Sequence, residues 1–304
     1  MSPPLIMRAM SLSLNTANRA GRVIREIMEK GNLGIIDKGK DDLQTEADRT
    51  AQRVIIASLA QQFPGVKIIG EEGKTDLNIS PDLLVTDLES DLLKKKCPES
   101  LLGVKDEELV IWVDPLDGTS EYTQGFLEHV TVLIGIAVNN LAVGGIIHQP
   151  YYKNNSGDLG RTIWGLRELG VGGFQPAVAP EGEFIVTTTR SHFTPLVQSA
   201  LDALKPTTVL RVGGAGFKVL QLLEGTAHAY VFTSAGCKKW DTCAPEAVLE
   251  AFGGTLTDIR GRHYEYDANV EFPNSRGVIA TCKGMDHQSI IDKIPESLKE
   301  AMGK

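Results

Sequence analysis

The run Ile111-Trp112-Val113-Asp114-Pro115-Leu116-Asp117-Gly118-Thr119 delivers two carboxylates, three residues apart, from an apolar strand into a turn. Proline fixes the backbone between the acids and glycine permits a tight bend. Two hard anionic oxygens held close together suit Mg²⁺, which prefers carboxylates, carbonyls and water. The Leu116 carbonyl lies between the acids as a further oxygen ligand, and Thr119 places a hydroxyl beside them. The N–H groups of Gly118 and Thr119 would meet a phosphate oxygen if a helical turn begins there. Taken alone, Asp-x-x-Asp-Gly also describes an ordinary surface turn.

Three further stretches add acids of the same kind. Glu71 and Glu72 close the apolar stretch Val66 to Gly70. Asp48 lies in Thr45-Glu46-Ala47-Asp48 at the opening of a helix, where an acid by itself stabilises the macrodipole by about 0.3–1 kcal/mol. Asp241 lies in Lys238-Lys239-Trp240-Asp241-Thr242-Cys243-Ala244-Pro245-Glu246, ahead of a proline expected to start a helix. There an N-cap is the plain alternative. One acid at a strand end is unremarkable, but several, each beside a turn or helix start, describe a multi-metal carboxylate site.

Periodicity and punctuation predict the elements that must position these groups. Residues 8–30 read as a helix ended by Gly31 and Gly34, and 46–63 as a second helix stopped by Pro64. Residues 66–70 and 109–113 read as strands, and 80–105 as helix plus loop. Thr131–Val138 and Leu141–His148 flank Asn139-Asn140, a hairpin signature. After Pro150 the texture turns Gly- and Pro-rich around a short strand at 162–164. Strands at 184–188, 209–212, 229–232 and 278–281 then alternate with helices at 195–204, 217–224 and 245–252. A boundary near 155–182 divides the chain into halves 1–155 and 156–304, the first with most of the acids and the second with Asp241. Both halves mix helix and strand, the pattern of layered α/β.

Composition bounds the function. The chain has 304 residues, 42% hydrophobic and 23% charged, which excludes disordered, coiled-coil and collagen-like classes. A net charge of −8 disfavours a nucleic-acid polymer as partner, while local lysines or a bound cation still admit a small anion. Cys97, Cys237, Cys243 and Cys282 lie far apart without a Cys-x-x-Cys, which reads as reduced thiols and a cytoplasmic setting. No apolar run reaches the length of a membrane span. Met1 to Arg25 holds Arg8, Arg19, Arg22 and Arg25 and no acid, faintly like a mitochondrial presequence; a basic first helix of the fold is the expectation.

Gly70-Glu71-Glu72, Asp114 through Thr119 and Trp240-Asp241 together resemble the signatures of the Mg²⁺-dependent, lithium-inhibited phosphatase superfamily that includes inositol monophosphatase and fructose-1,6-bisphosphatase. Asp42-Leu43-Gln44-Thr45 with Ala47-Asp48, Trp112 through Tyr122, Arg211 through Gly216, and Gly236 through Glu246 resemble its 3′(2′),5′-bisphosphate nucleotidase branch, over about residues 10 to 300. The resemblance implies a five-layer αβαβα sandwich of the sugar-phosphatase type, with an antiparallel first sheet and a smaller mixed second sheet. It implies Glu71, Asp114, the Leu116 carbonyl, Asp117 and Asp241 as ligands to roughly two to three Mg²⁺ ions, with Li⁺ as inhibitor. Thr119 and Asp48 would activate the attacking water, and Gly118, Thr119, Thr189, His192, Gly214, Lys218 and Asp241 would bind substrate. Phe217 departs from the branch, where relatives usually carry a polar Asn, and this puts a base or ribose contact there in doubt.

The implied reaction removes the 3′-phosphate from adenosine 3′,5′-bisphosphate to give AMP, with the 2′,5′ isomer or 3′-phosphoadenylyl sulfate as alternative substrates. Its place would be the clearing of a by-product of sulfotransferase chemistry, by a monomer acting on a small molecule. The enzyme rivals are an inositol polyphosphate 1-phosphatase acting on inositol 1,4-bisphosphate and an inositol monophosphatase. The non-enzyme rival is a nucleotide or metal sensor without turnover, against which stands the presence of every expected acid and of Thr119.

Overall fold

The computed structural model describes residues 2–39 and 42–303. Ile6, Met10, Leu14, Ala17, Ile24 and Ile27 recur at helical spacing and are all buried along α1 (Leu5–Lys30). Gly31 ends this helix with φ 73°, its N–H donating to the Met28 carbonyl at 3.0 Å. The hairpin β1 (Ile36–Gly39) and β2 (Asp42–Gln44) leads to α2 (Glu46–Gln62), β3 (Lys67–Gly70) and the single turn α3 (Ser90–Leu93). Then come β4 (Leu109–Asp117), α4 (Thr119–Gln124), β5 (Thr131–Val138), β6 (Leu141–Lys153), β7 (Leu159–Leu166) and β8 (Gly170–Gly172). The second run is β9 (Ile185–Thr189), α5 (Pro195–Leu204), β10 (Thr208–Val212), α6 (Ala215–Leu223), β11 (Ala229–Phe232) and α7 (Lys239–Phe252). It closes with β12 (Thr255–Thr257), β13 (Val278–Thr281), α8 (His287–Lys293) and α9 (Glu296–Ala301).

The first sheet has six strands in the order β3-β4-β5-β6-β7-β8, antiparallel except for the β3–β4 pair. It runs past residue 155, since β7 and β8 complete it. The second has five strands, β10-β9-β11-β13-β12, parallel on either side of β9 and antiparallel around β13. Helices α1 and α2 cover one face of the first sheet, α6 and α7 lie between the sheets, and α5 packs on β11 and α8 on β13 outside the second. This is the expected five-layer αβαβα arrangement, with an antiparallel-dominated sheet and a smaller mixed one. The four cysteines are free thiols. No described helix is long and apolar enough to cross a membrane. The basic N-terminal stretch is part of the fold: α1 lies in the core, and Arg25 Nη1 donates to the Pro150 carbonyl at 2.9 Å.

The hairpin turn is as expected: Asn139 and Asn140 have φ of 48° and 71°, the left-handed pair of a type I′ turn. Several elements differ, among them the short strands β1, β2, β8 and β12, which are not among those expected. The 80–105 region contains only the four-residue α3 as α-helix. The last helices α8 and α9 are additions, each shorter than a full amphipathic period can reveal. Helix α7 starts at Lys239, so Pro245 lies inside it rather than opening it. An internal proline removes one backbone bond and typically costs about 3 kcal/mol; here the helix is packed between two sheets, and burial of Trp240, Cys243, Ala244, Ala247, Val248 and Leu249 outweighs that loss.

What seats α7 is a row of glycines. Gly135, Gly145 and Gly165 stand opposite one another across β5, β6 and β7. A Cβ at Gly145 would come within 2.3 Å of the Ala244 carbonyl oxygen, one at Gly135 within 2.6 Å of the Ala244 nitrogen, and one at Gly165 within 2.7 Å of the Val248 Cα. The helix backbone therefore rests directly on the strands, which brings Asp241 down to the end of β4. Gly145→Ala is expected to push α7 off the sheet, destabilising the protein by about 1–3 kcal/mol and lowering turnover with it. An unchanged urea midpoint would count against this account of how the helix is seated.

Candidate active site

Asp114 and Asp117 sit at the end of β4, buried, and Asp241 sits in the first turn of α7. Carboxylate oxygens of the three lie within 4.8 Å of one another. Each is aimed by backbone N–H groups. The Leu116 amide donates to Asp114 Oδ1 at 3.0 Å. The N-terminal amides of α6 hold Asp117, Ala215 N donating to Oδ1 at 2.9 Å and Gly216 N to Oδ2 at 2.8 Å, with Thr131 Oγ1 donating to Oδ2 at 2.7 Å. The Lys238 amide donates to Asp241 Oδ2 at 2.5 Å, so Asp241 is the third helical residue of a capping arrangement and Lys238 the N-cap, not Asp241 itself.

Burial, then the neighbouring negative charges of Glu71, Asp117 and Asp241, raises the Asp114 carboxyl pKa well above the ordinary range. Burial raises Asp117 despite its four favourable partners, and raises Asp241 together with the charge of Asp117. Glu71, past the end of β3 on the same cleft, is pushed up to about 8 by burial and then by Asp241 and Glu72. Lys238 Nζ is 3.9 Å from Glu71 Oε1. Concentrated, desolvated carboxylates of this kind favour a hard divalent cation. The all-oxygen donor set of Asp114, Asp117, Asp241, Glu71 and the Leu116 carbonyl fits Mg²⁺ or a similar ion.

Asp48 and Thr119 meet beside these acids. Thr119 Oγ1 donates to Asp48 Oδ1 at 2.9 Å and lies 3.1 Å from the Leu116 carbonyl oxygen. The other Asp48 oxygen takes Thr45 N at 2.8 Å and the Thr45 hydroxyl, closing a capping box at the start of α2. Burial pushes Asp48 up to about 6 against these hydrogen bonds, which lower it. Gly118, at φ 89°, makes the bend that starts α4 at Thr119.

The cleft has a volume of about 330 Å³ and takes in every site residue expected from sequence except Asp48, which reaches it through Thr119. Thr189 and His192 form one wall, joined by His192 N donating to Thr189 Oγ1 at 3.0 Å. Lys218 is 5% exposed, its Nζ donating to the Gly214 carbonyl at 2.9 Å and standing over the Tyr230 ring. Protein packing by itself requires glycine at 214: a Cβ there would lie 2.7 Å from the His129 carbonyl oxygen and 3.0 Å from Asp117 Oδ2, at φ 69°. Phe217 is not a wall of the cleft; it packs on the His129 ring at 4.7 Å, and His129 Nδ1 in turn accepts from Gly213 N at 3.2 Å. Its departure from the branch pattern thus falls behind the glycine turn. Trp112 and Tyr122 are core residues, Tyr122 donating to the Ile24 carbonyl at 2.9 Å. Trp240 packs beside Trp112 and Phe272, behind Asp241.

Sequence reasoning missed part of the lining. Glu121, buried and paired with Arg190 at 3.2 Å, Tyr230, Phe232 and Cys237 all face the cleft. Glu121 falls on the same α4 turn as Thr119 but two residues on, a spacing that marks no shared helix face, so the sequence carried no signal for it. Tyr230 and Phe232 alternate on β11 and read as core from their pattern alone.

The profile of the Inositol monophosphatase family matches residues 8–299. The chain is 48% identical over 305 residues to the human protein named 3′(2′),5′-bisphosphate nucleotidase 1, covering 99% of this chain and 98% of that one. It is 40% identical to the Dictyostelium discoideum protein of the same name, covering 94% and 96%. Among solved structures, CysQ from Bacteroides thetaiotaomicron, a bacterial member of the inositol monophosphatase family, superposes with a TM-score of 0.66 at 24% identity over 91% of this chain and 97% of that one. With the layered fold and the acid cluster of β4 and α7 in place, these matches establish that the chain belongs to the inositol monophosphatase family.

Proposed function

We propose that this protein is a Mg²⁺-dependent phosphomonoesterase that hydrolyses the 3′-phosphate of adenosine 3′,5′-bisphosphate to AMP and phosphate, with the 2′,5′ isomer and 3′-phosphoadenylyl sulfate as further substrates. The observation that carries it is the Thr119–Asp48 contact set against the Asp114, Asp117 and Asp241 cluster. The near-full-length identity to nucleotidases supports the choice of substrate. Its place is the removal of a by-product of sulfuryl transfer, in the cytoplasm.

Glu71, Asp114, the Leu116 carbonyl, Asp117 and Asp241 would hold the Mg²⁺ ions. Bound there, Mg²⁺ neutralises phosphate charge and makes a water more acidic. The protein's own part is proton removal and aim. Asp48 Oδ2 is engaged by Thr45, which leaves Oδ1 to accept the Thr119 hydroxyl proton. As that proton moves to Asp48 Oδ1, Thr119 Oγ1 accepts one from the attacking water. A carboxylate tuned to about 6 is ionised at neutral pH yet basic enough to take it. Amides at Gly118 and Thr119 open α4 toward the cleft and orient phosphate. Lys218, Thr189 and His192 lie on the second-half wall, where they would receive the other phosphate and the nucleoside.

Four substrates test the assignment: phosphate release from adenosine 3′,5′-bisphosphate, inositol 1,4-bisphosphate, inositol 1-phosphate and fructose 1,6-bisphosphate, in Mg²⁺ with and without Li⁺. Preferred, lithium-blocked turnover of the nucleotide is expected. Preference for an inositol phosphate would overturn the substrate, and tight nucleotide binding without any turnover would mark a sensor. Asp48→Asn should lower kcat about 10²–10⁴-fold with Mg²⁺ affinity retained, and the wild-type kcat should fall below about pH 6 as Asp48 protonates.

Stability in the absence of metal should also depend on pH. The unfolded carboxyls ionise near pH 4, whereas the folded values are raised, to about 6 for Asp48 and about 8 for Glu71. The folded state keeps protons that the unfolded chain has lost, so stability falls as pH rises from about 4 to 8. Urea midpoints in EDTA should therefore drop between pH 5 and pH 8, and saturating Mg²⁺ should flatten the drop. Asp114→Asn should raise the metal-free midpoint at pH 8 and weaken the response to Mg²⁺; equal midpoints in EDTA would refute the charge-crowding argument.

A further inference from the structure

A second group of metal-binding side chains lies further along α7, outside the cleft just described. Glu246 and Glu250 stand one turn apart and so share a helix face, and His263 meets them from the segment after β12. One ligand atom from each of the three lies within 4.8 Å of the others. Glu250 is nine residues beyond Asp241, about 13 Å along the helix, so the group is separate from the first cluster.

The hydrogen bonding of this group is incomplete. His263 Nδ1 is 3.2 Å from Glu246 Oε1 and 3.2 Å from Glu250 Oε1. That nitrogen carries at most one proton and can serve only one of them. Glu246 takes it, and Glu250 Oε1, which makes no further hydrogen bond among the described residues, keeps only an ion-pair contact with the same nitrogen. Glu246 is itself 3% exposed, and its second oxygen accepts the Tyr266 hydroxyl. A cleft of about 620 Å³ opens beside Glu250 and His263, walled also by Arg167, Glu168 and Thr255. No step of the hydrolysis uses these residues.

We propose that Glu246, Glu250 and His263 form a second divalent-cation site, selective for Zn²⁺-class ions over Mg²⁺. One imidazole nitrogen with two carboxylate oxygens is a donor set that Zn²⁺ accepts, typically with water in the fourth position. Mg²⁺ demands oxygen ligands in octahedral array and suits the all-carboxylate cleft instead. The ion takes the place of the single Nδ1 proton, which leaves to solvent, and contacts both glutamates at once, so neither has to share that proton. Tyr266 supplies the outer hydrogen bond that fixes a ligating carboxylate. The cleft leaves room for the fourth ligand.

Equilibrium dialysis of the full chain against Zn²⁺ in a large excess of Mg²⁺, with bound metal counted by mass spectrometry, tests this. Wild type should retain one more Zn²⁺ per chain than His263→Ala and Glu250→Gln, both of which alter half-exposed or cleft-facing side chains and should fold. Visible absorption of the Co²⁺-loaded protein should show an intense tetrahedral band that both variants lose. Phosphatase turnover in Mg²⁺ alone should stay within twofold of wild type in each. Equal Zn²⁺ content in all three proteins would overturn the site, leaving a protonated His263 shared between two carboxylates. Loss in only one variant would overturn the three-ligand assignment.

Discussion

Like charges gathered out of water are the constraint around which this structure is arranged. Asp114, Asp117 and Asp241 bring oxygens within 4.8 Å of one another in a largely buried cleft, where both burial and mutual repulsion disfavour ionisation. Lys218 and Lys238 lower the cost of the charge on Asp117 and Asp241 only in part. The fold aims single amides at one oxygen of Asp114 and Asp241, and gives Asp117 the open end of α6. Amide dipoles offset part of the charge without consuming it, so the cluster keeps a net demand for a cation. A guanidinium in the same place would stabilise the empty protein and compete with the ion.

The Asp117 contact also joins the two sheets. Asp117 ends a strand of the first sheet, while α6 lies between the sheets and packs on β9 and β11 of the second. The contact requires a backbone turn with no side chain in the way, which Gly214 supplies, and His129 and Phe217 brace that turn from behind. On the other side of the cluster, α7 is lowered onto the first sheet by Gly135, Gly145 and Gly165. Two close approaches of unlike kind, one electrostatic and one steric, thus fix the same cleft.

The sequence made the acids and their neighbouring strands legible because β4 and its turn are contiguous, and because the type I′ pair Asn139-Asn140 sets the next hairpin unambiguously. The layered architecture followed from alternation of strand and helix patterns. What stayed hidden was relational. The glycine row is three residues on three strands, and only the pairing register aligns them. Tyr230 and Cys237 carry no local mark of facing a cleft. The true start of α7 was masked by Pro245, since a local rule against internal proline is overridden by packing on both faces. The Glu246–His263 contact joins residues seventeen apart across a turn and β12, a separation no local pattern reports.

At two positions the sequence offered a choice between an acid that supports a helix start and one that serves the cleft, and the geometry is compatible with both at once. A carboxylate has two oxygens. Asp48 spends Oδ2 on Thr45, closing the capping box of α2, and presents Oδ1 to Thr119. Asp241 uses Oδ2 for the Lys238 amide at the start of α7 while the same carboxylate joins the cluster with Asp114 and Asp117. The capping bond removes the rotamer freedom that would otherwise blur the second oxygen's position. A helix N-terminus is thus a means of aiming an acid, because the bond that starts the helix is the bond that holds the proposed base or ligand in place. An acid three residues into a helix, on a chain that folds its helix starts onto one cleft, is held for the proposed chemistry by the same bond that caps the helix.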